Sequence, residues 1–227
     1  MTVTVISGVT LDGVVQAPAR PDEDTRDGCT HGGWAVPYGD EAATAAWGQA
    51  IAKATGGGGL LLGRRTYFDF IEAWPKRAPG HPYTATLTKT PKYVASTTLT
   101  EPLPWENSTL LTDPVQQLPG LKRERDLVIM GSGALVQSLS RAGLIDEYVL
   151  MIHPLVLGEG RRLFPAGFPG HQADADKRHA LHDRGDHRHL SAGTAMTQQA
   201  AALRPQGRST RAGPQDAHKS SPCREQP

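Results

Sequence analysis

Short apolar or β-branched runs alternate with segments of helical periodicity over the first 170 residues. The strand candidates include VTVIS, GLLLG, KYVAST, STLLT, DLVIMG and DEYVLMIHPLVLG. Between them lie segments with helical signals, among them one that begins at Asp40 and ends just before Gly56. This alternation predicts an α/β fold with a mostly parallel sheet, because helices that connect parallel strands cover both faces of the sheet.

The composition of the chain changes near residue 170. After Gly170 there is no aromatic residue, no Ile and no Val, and these last 57 residues carry six of the nine histidines. Such a segment cannot bury enough apolar surface to offset the entropy of ordering it. We therefore predict one globular domain over residues 1–170 and a disordered tail over residues 171–227.

Charge and cysteine content exclude several classes of protein. The chain carries 24 basic and 23 acidic side chains, and this balance gives no electrostatic footprint for nucleic acid or an anionic membrane. No apolar run reaches the roughly 18 residues that a membrane-spanning helix needs. Cys29 and Cys223 lie far apart and are expected to be free thiols in a reducing compartment. The sequence therefore predicts a cytoplasmic protein with no nucleic-acid or membrane partner.

The segment DLVIMGSGALVQSL places glycines between a strand and a helix. Gly131, Ser132 and Gly133 let the backbone turn sharply, and the helix that starts near Ala134 points free N–H groups towards its N-terminus. Such a turn can hold a phosphate or pyrophosphate. The spacing is not that of the common dinucleotide fingerprint, so a plain strand-to-helix turn is the alternative.

A second strand, in LLLGRRTYFDF, ends at Gly63 and leads into a helix that begins with Arg64, Arg65 and Thr66. A guanidinium group here can pair with a phosphate, while Thr66 and the helix N–H groups hold another. The alternative is that both arginines face solvent. Helix N-termini disfavour cations, however, so two arginines in a first turn indicate an anion that they neutralise.

Five motifs occur in an order and spacing that resemble one known group of proteins. They are TLDG at 10–13, GRRTY at 63–67, GSGAL at 131–135, LIDEY at 144–148 and HPLVLGEGRRLF at 153–164. Together they resemble the dihydrofolate reductase-like superfamily, most closely the branch of the C-terminal reductase domain of the bifunctional riboflavin deaminase-reductase. The resemblance covers residues 2 to about 170. It implies a three-layer sandwich around the central sheet and an enzyme that uses NADPH.

The resemblance also implies roles for individual residues. Residues 63–66 would lie at the 2′-phosphate and pyrophosphate of NADPH, and residues 131–134 would hold the pyrophosphate from the other side. Asp12, although Asp-Gly is most often a simple turn, would lie in the catalytic loop that closes over nicotinamide and substrate. The substrate pocket would be bordered by Trp34, Tyr38 and Asp40. The alternative for Trp34 and Tyr38 is that they only pack on the core.

The expected reaction is the NADPH-dependent reduction of a small heterocycle, by resemblance 5-amino-6-(5-phosphoribosylamino)uracil. A dihydrofolate reductase-type enzyme is the first alternative. It is less favoured because no acidic residue stands clearly on the pocket face at the start of the first long helix, where Asp40 and Glu41 are the only candidates. The second alternative is a nucleotide-binding protein without activity. Relatives in this superfamily are often dimers, so a homodimer is a further expectation.

The family pattern continues after LFP with a polar link and one more apolar strand, and the polar tail stands in their place. If residues 185–193, GDHRHLSAG, are read one base later, their codons permit Val-Ile-Ile-Ala-Thr-Tyr-Gln-Pro, a sequence typical of such a strand. We therefore predict a change of reading frame near residue 170 and a missing final strand. The histidine-rich segment HDRGDHRHL, 182–190, is then a product of the shifted frame, and no metal site is predicted there.

Overall fold

The computed structural model describes residues 1–39, 41–170, 180–181 and 187–191. All of them belong to one compact unit, Met1–Met196. The strands are β1 (Val3–Thr10), β2 (Gly59–Gly63), β3 (Lys92–Ala95), β4 (Ser108–Leu111), β5 (Leu127–Met130), β6 (Glu147–His153), β7 (Ala180–Leu181) and β8 (His187–Ser191). The α-helices are α1 (Glu41–Thr55), α2 (Arg64–Ile71), α3 (Pro82–Lys89), α4 (Pro114–Glu124) and α5 (Gly133–Arg141).

The strands form a single sheet in the order β4-β3-β2-β5-β1-β6-β8-β7. The six strands from β4 to β6 are parallel to one another. This arrangement confirms the α/β fold with a mostly parallel sheet that the alternating sequence pattern predicts. None of the described helices is long and apolar enough to cross a bilayer.

Helices cover both faces of the sheet, so the described strands separate two apolar cores. Leu61 and Ile129 belong to one core, which also holds Leu118 of α4 and Leu139 of α5. Their chain neighbours Leu60, Leu62 and Val128 belong to the other core, together with residues of α1, α2 and α3. Neighbouring residues in a strand point to opposite faces, and burial on both faces explains why these strands are continuous apolar runs.

Helix α3 was not predicted from the sequence. Its segment is rich in threonine, which has low helix propensity, but Pro82 stands at the first helical position, which proline favours. The His81 ring nitrogen Nδ1 accepts a hydrogen bond from the Tyr83 backbone N–H at 3.2 Å and caps the helix start. The packing of the buried residues Thr84 and Leu87 against the rest of the domain supplies the helix stability that helix propensity alone does not.

The far end of α3 is held by a buried lysine. Lys92 is 0 % exposed, and its Nζ donates hydrogen bonds to the carbonyl groups of Leu87 at 2.8 Å, Thr88 at 3.1 Å and Thr90 at 2.8 Å. The ammonium group also lies 4.5 Å from the ring centroid of Trp105. Burial lowers the pKa of Lys92 to about 8. The lysine therefore satisfies carbonyl groups that the end of a helix leaves without partners.

The prediction of a missing final strand is wrong. Residues 187–191 form β8, which pairs with β6 in antiparallel register from Glu147↔Ser191 to Met151↔His187, and β7 pairs with β8. An unpaired β6 would present a row of N–H and C=O groups, and the backbone of even a polar segment can satisfy them. The rest of the predicted disordered tail lies outside the described residues, as do Asp40 and Cys223.

Candidate functional site

A cleft of about 1280 Å³ opens at the carboxyl ends of β2 and β5. These strands are parallel neighbours, and their register pairs Leu61 with Ile129. Two residues further along, Gly63 and Gly131 therefore lie level with each other at the same edge of the sheet. All the cofactor-binding candidates line this cleft: Gly63, Arg64, Arg65, Thr66, Gly131, Ser132, Gly133 and Ala134. The two glycine-bearing turns converge on one space.

The turn after β5 brings the two strand ends into contact. Gly131 has φ +62°, a conformation that glycine adopts without strain, and Ser132 follows with φ +58°. The Ser132 hydroxyl accepts a hydrogen bond from the Gly63 backbone N–H at 2.9 Å. A Cβ atom on Gly131 would lie 3.4 Å from Cγ2 of Thr66, and one on Gly63 would lie 3.5 Å from Oγ of Ser132. Side chains at these glycines would therefore fill the narrow space between the turns.

The helices that leave these turns begin without a capping side chain. Neither the N-cap of α2, Gly63, nor that of α5, Ser132, caps its helix through a side-chain hydrogen bond. By contrast, α4 is capped by the Asp113 carboxylate, which accepts a hydrogen bond from the Gln116 backbone N–H at 3.1 Å. The first N–H groups of α2 and α5 thus remain available to an anion in the cleft.

Arginine side chains at the cleft divide into paired and unpaired groups. Those away from the glycine turns are paired: Arg20 with Asp22 at 3.3 Å, Arg26 with Asp24 at 2.7 Å, Arg161 with Asp27 at 2.7 Å and Arg162 with Asp12 at 3.4 Å. Arg64 and Arg65 are exposed and form no ion pair with any described residue. Their charges lie in the first turn of α2, where the helix dipole disfavours cations. A bound anion would relieve this repulsion.

Asp12 lies outside the cleft and holds two loops together. Its carboxylate accepts hydrogen bonds from the Thr10 hydroxyl at 2.6 Å and from the backbone N–H groups of Leu157 at 3.2 Å and Gly158 at 2.9 Å. Burial opposes ionisation, but the hydrogen bonds outweigh it and lower the pKa of Asp12 to about 2. The carboxylate therefore stays ionised and joins the turn after β1 to the loop after β6, and the catalytic role of Asp12 stays a prediction.

Trp34 and Tyr38 meet a histidine that the sequence analysis did not single out. The Trp34 indole N–H donates to the Gln16 carbonyl at 2.7 Å, and its ring meets the His153 ring edge-on at 5.1 Å. The Tyr38 ring also meets this histidine edge-on, at 5.8 Å. Tyr38 and His153 line the cleft, whereas Trp34 is 7 % exposed and packs behind them. Of the substrate-pocket candidates, Tyr38 lines the cleft, Trp34 supports its wall, and Asp40 is not described.

The segment after β1 forms one wall of the cleft and is fixed by a buried glutamine. The Gln16 side-chain amide donates hydrogen bonds to the carbonyl groups of Asp24 at 3.2 Å and Arg26 at 3.0 Å. Its Oε1 atom accepts one from the Arg161 backbone N–H at 2.9 Å. Gln16 thereby joins the segment to the loop after β6, and this fixes the wall on which a ligand would rest.

Asp69 was missed by sequence reasoning. It lies on α2, lines the cleft, and is half-buried. Burial and the neighbouring charge of Glu23 raise the pKa of Asp69 to about 6, against the opposing effects of Arg20 and Arg65. The sequence signal is weak, since it consists only of one acid between Phe68 and Phe70 on a short helix. A carboxyl group with a raised pKa in a cleft is a candidate for recognition or proton transfer.

Next to Asp69 the cleft has an aromatic wall. This wall is made of four aromatic residues and one isoleucine: Trp47, Phe70, Trp74, Tyr83 and Ile51. The rings of Trp74 and Tyr83 meet edge-on at 4.7 Å. The Tyr83 hydroxyl oxygen is buried and has no hydrogen-bond partner among the described residues. A flat apolar ligand can pack against the rings of this part of the cleft.

The parallel sheet, with its cleft at the carboxyl ends of the strands, defines an α/β protein with a ligand-binding crevice in the place usual for this class. The family model of the RibD C-terminal domain matches residues 1–173. The chain therefore belongs to this family, which groups reductase-type enzymes of riboflavin biosynthesis, and the resemblance inferred from its five motifs is confirmed.

Two individual proteins illustrate how far the similarity extends. Over 40 residues the chain is 45 % identical to the uncharacterized protein YyaP of Bacillus subtilis strain 168, and the match spans 18 % of the chain and 21 % of YyaP. The fold is similar to the crystal structure of a provisionally named riboflavin biosynthesis protein from Shewanella sp. PV-4. The TM-score is 0.56 at 23 % identity, and the superposition covers 84 % of this chain and 98 % of the other. This structural likeness supports the fold.

Proposed function

We propose that the chain is an NADPH-dependent reductase of a small heterocyclic substrate. The observation that carries the proposal is the convergence of two uncapped helix starts on one cleft, next to the unpaired guanidinium groups of Arg64 and Arg65. Two helix N-termini and two free positive charges suit a ligand with several phosphate groups. The narrow space between Gly63 and Gly131 suits a pyrophosphate, which needs the backbone to approach closely.

The residues at the cleft fit the cofactor in a simple division of roles. Residues 63–66 would bind phosphate through the first turn of α2, and residues 131–134 through the first turn of α5. The hydroxyl groups of Ser96, Thr97 and Thr112, at the ends of β3 and β4, line the same cleft and would bind further polar groups of the nucleotide. Arg64 and Arg65 would favour the extra phosphate of NADPH over NADH.

The cofactor, when bound, supplies the hydride. The chain itself has to hold the two reactants in the right geometry and to exclude water from the space between them. The aromatic wall of Trp47, Phe70 and Trp74 and the fixed segment after β1 can do both. This division of labour explains how a cleft can support a reduction without a paired nucleophile and base.

By family, the substrate would be 5-amino-6-(5-phosphoribosylamino)uracil, and a dihydrofolate reductase-type enzyme is the alternative. A carboxyl group at the substrate end of the cleft favours recognition of ring N–H groups, and Asp69 supplies one from α2. The cytoplasmic location and the homodimer stay predictions.

Titration with NADPH, followed by tryptophan fluorescence, tests the proposal, because Trp47 and Trp74 line the cleft. We expect saturable quenching, and tighter binding of NADPH than of NADH. Gly131→Ala should weaken NADPH binding at least about tenfold, since a side chain there enters the space between the turns. Gly143→Ala is the matched control, because Gly143 has a similar φ of +66° but open space around its Cβ position.

Two results would contradict the proposal. One is the absence of quenching by either dinucleotide. The other is an equal loss of affinity in the two glycine variants, which would mean that backbone strain and not the cleft governs binding. Consumption of NADPH with the riboflavin intermediate or with dihydrofolate then separates the two candidate reactions from a nucleotide-binding protein without activity.

A further inference from the structure

We propose that His153 donates the proton that accompanies hydride transfer, from its Nε2 atom to the nitrogen of a C=N bond in the substrate. The inference rests on the proposed reductase function and names a residue that this function has not yet used. His153 is the last residue of β6, lines the cleft and is 9 % exposed. No other histidine among the described residues lines the cleft.

The reduction of a C=N bond requires a proton as well as a hydride. The carbon atom receives the hydride, which the cofactor supplies, whereas the nitrogen atom needs a proton from another source. In the proposed step the Nε2–H bond of an imidazolium ion breaks and an N–H bond forms on the substrate, which leaves an amine and a neutral imidazole. Solvent then returns a proton to Nε2. Histidine suits this step because its ordinary pKa lies close to neutral pH.

One hydrogen bond determines which nitrogen of the His153 ring exchanges its proton. The Nδ1 atom lies 2.9 Å from the carbonyl oxygen of Met151. A carbonyl oxygen only accepts hydrogen bonds, so Nδ1 keeps its hydrogen in both the neutral and the charged ring. The proton that His153 gains and loses is therefore the one at Nε2.

The neighbours of the His153 ring fix its position. The rings of Trp34 and Tyr38 meet it edge-on at 5.1 Å and 5.8 Å. On the side of β1, a Cβ atom on Gly8 would lie only 3.2 Å from its Cε1 atom, so the missing side chain lets the ring pack against the strand. A proton donor needs such a fixed position, because it has to lie within hydrogen-bond reach of the atom that it protonates.

The order of the strands places His153 in the same cleft as the glycine turn after β5. Strand β1 lies between β5 and β6, and neighbouring strands are about 5 Å apart, so the ends of β5 and β6 are about 10 Å apart across the sheet. Ser7 and Gly8 of β1 line the cleft between them. A dinucleotide with its phosphates at Gly131 can therefore extend along these residues towards His153, where the substrate would meet it.

Other ionisable residues belong to the elements around His153. Tyr38 contacts its ring, and Asp40 and Glu41 follow at the start of α1, with Asp40 outside the described residues. On the other side, His187 of β8 pairs with Met151 through the backbone. The experiment therefore has to separate the titration of His153 from that of Asp40 and His187.

Single-turnover oxidation of NADPH by the full chain, with the riboflavin intermediate or with dihydrofolate, measures the step. In the wild type, the rate should fall as the pH rises through the ordinary titration range of histidine, because the imidazolium loses its proton. His153→Asn keeps an N–H donor for the Met151 carbonyl but has no ionisable proton. It should lower the rate below this range at least about hundredfold, remove the pH dependence and leave NADPH affinity unchanged. His31→Asn, the same change at an exposed histidine that does not line the cleft, is the control and should alter neither rate nor pH dependence.

Nitrogen NMR of the histidine rings in the free chain gives a readout that does not depend on turnover. The His153 signals are assigned by their loss in His153→Asn. We expect Nδ1 to stay protonated over the whole titration and Nε2 to be the nitrogen that loses its proton as the pH rises.

The inference is overturned if His153→Asn keeps the rate or the pH dependence of the wild type, or if Nδ1 is the nitrogen that titrates. It is also overturned if Asp40→Asn or His187→Gln removes the pH dependence, which both should keep whatever their rates. These results leave the proposed reductase function in place. A wild type that oxidises no NADPH with either substrate defeats the proposed function, and the inference with it.

Discussion

Replacement of Asp69 by asparagine should stabilise the fold at neutral pH. Burial raises the pKa of Asp69 from 3.8 to about 6. Between these pH values the folded protein holds a proton at this carboxyl group that the unfolded chain has released. Stability therefore falls as the pH rises through this window, and the ionised carboxylate costs free energy at pH 7. The charged groups that act on it are Arg20, Glu23, Asp24, Arg26 and Arg65.

The size of the effect follows from the pKa difference. A rise of about two pKa units corresponds to about 3 kcal/mol at pH 7 for a carboxylate that loses all its water. Asp69 keeps part of its solvent contact, and screening reduces the cost to about 1 kcal/mol. In a domain of this size, such a change moves the melting temperature by about 2–4 °C. Asp69→Asn should therefore melt about 2–4 °C above the wild type at pH 7.

Circular dichroism melts at pH 7 and pH 4 measure this effect. At pH 4 the carboxyl group of the folded protein is protonated, so the variant and the wild type should differ much less. Glu124→Gln serves as the control for loss of a surface charge, and should stay within about 0.5 kcal/mol of the wild type. An Asp69→Asn variant that melts below the wild type at pH 7, or gains as much at pH 4, would refute the reasoning.

Three further outcomes are expected. Lys92→Met should destabilise the fold by about 2–3 kcal/mol in urea unfolding, because buried carbonyl groups at the end of α3 lose their hydrogen-bond donor. A loss below about 0.5 kcal/mol would argue against a role of Lys92 in holding the end of α3. Arg64→Ala and Arg65→Ala should weaken NADPH binding, and by a larger factor at low salt than at high salt. The control Arg123→Ala, at an exposed position on α4, should leave NADPH binding unchanged. Equal effects of the three changes would remove the basis for a phosphate site at α2. The chain with its frame restored near residue 170 should melt several degrees higher, because Ile and Thr, which would replace His187 and His189 in β8, suit a strand better than histidine does. Equal melting temperatures, or a gene sequence in which no frame encodes an apolar strand there, would end the frameshift hypothesis.

The parallel sheet could be predicted from the sequence because its strands are buried on both faces. Runs such as GLLLG and DLVIMG are continuous apolar segments for this reason, and each ends at a glycine that marks the edge of the sheet. The same pattern explains why the two glycine-bearing turns could be predicted to lie at one cleft. Parallel neighbouring strands bring their carboxyl ends to one edge, so Gly63 and Gly131 lie side by side there.

The features that were missed depend on tertiary contacts or on the backbone alone. The pKa of Asp69 is raised by burial in the cleft wall and by the charges of Glu23 and Asp24, which lie far from it in the chain. Helix α3 depends on packing more than on helix propensity. Strand β8 pairs through backbone groups, so a polar sequence did not reveal it. The motif at Asp12 was recognised, but only the structure shows that its carboxylate is committed to Leu157 and Gly158.

A crystal structure of this chain with bound NADPH tests most directly whether the two glycine turns form a dinucleotide site. We expect the pyrophosphate between residues 63–66 and residues 131–134, within hydrogen-bond distance of the first N–H groups of α2 and α5. We also expect the nicotinamide to point towards the Asp69 end of the cleft. A dinucleotide bound elsewhere, or with its phosphates at the Asp69 end, would contradict the assignment of the cleft.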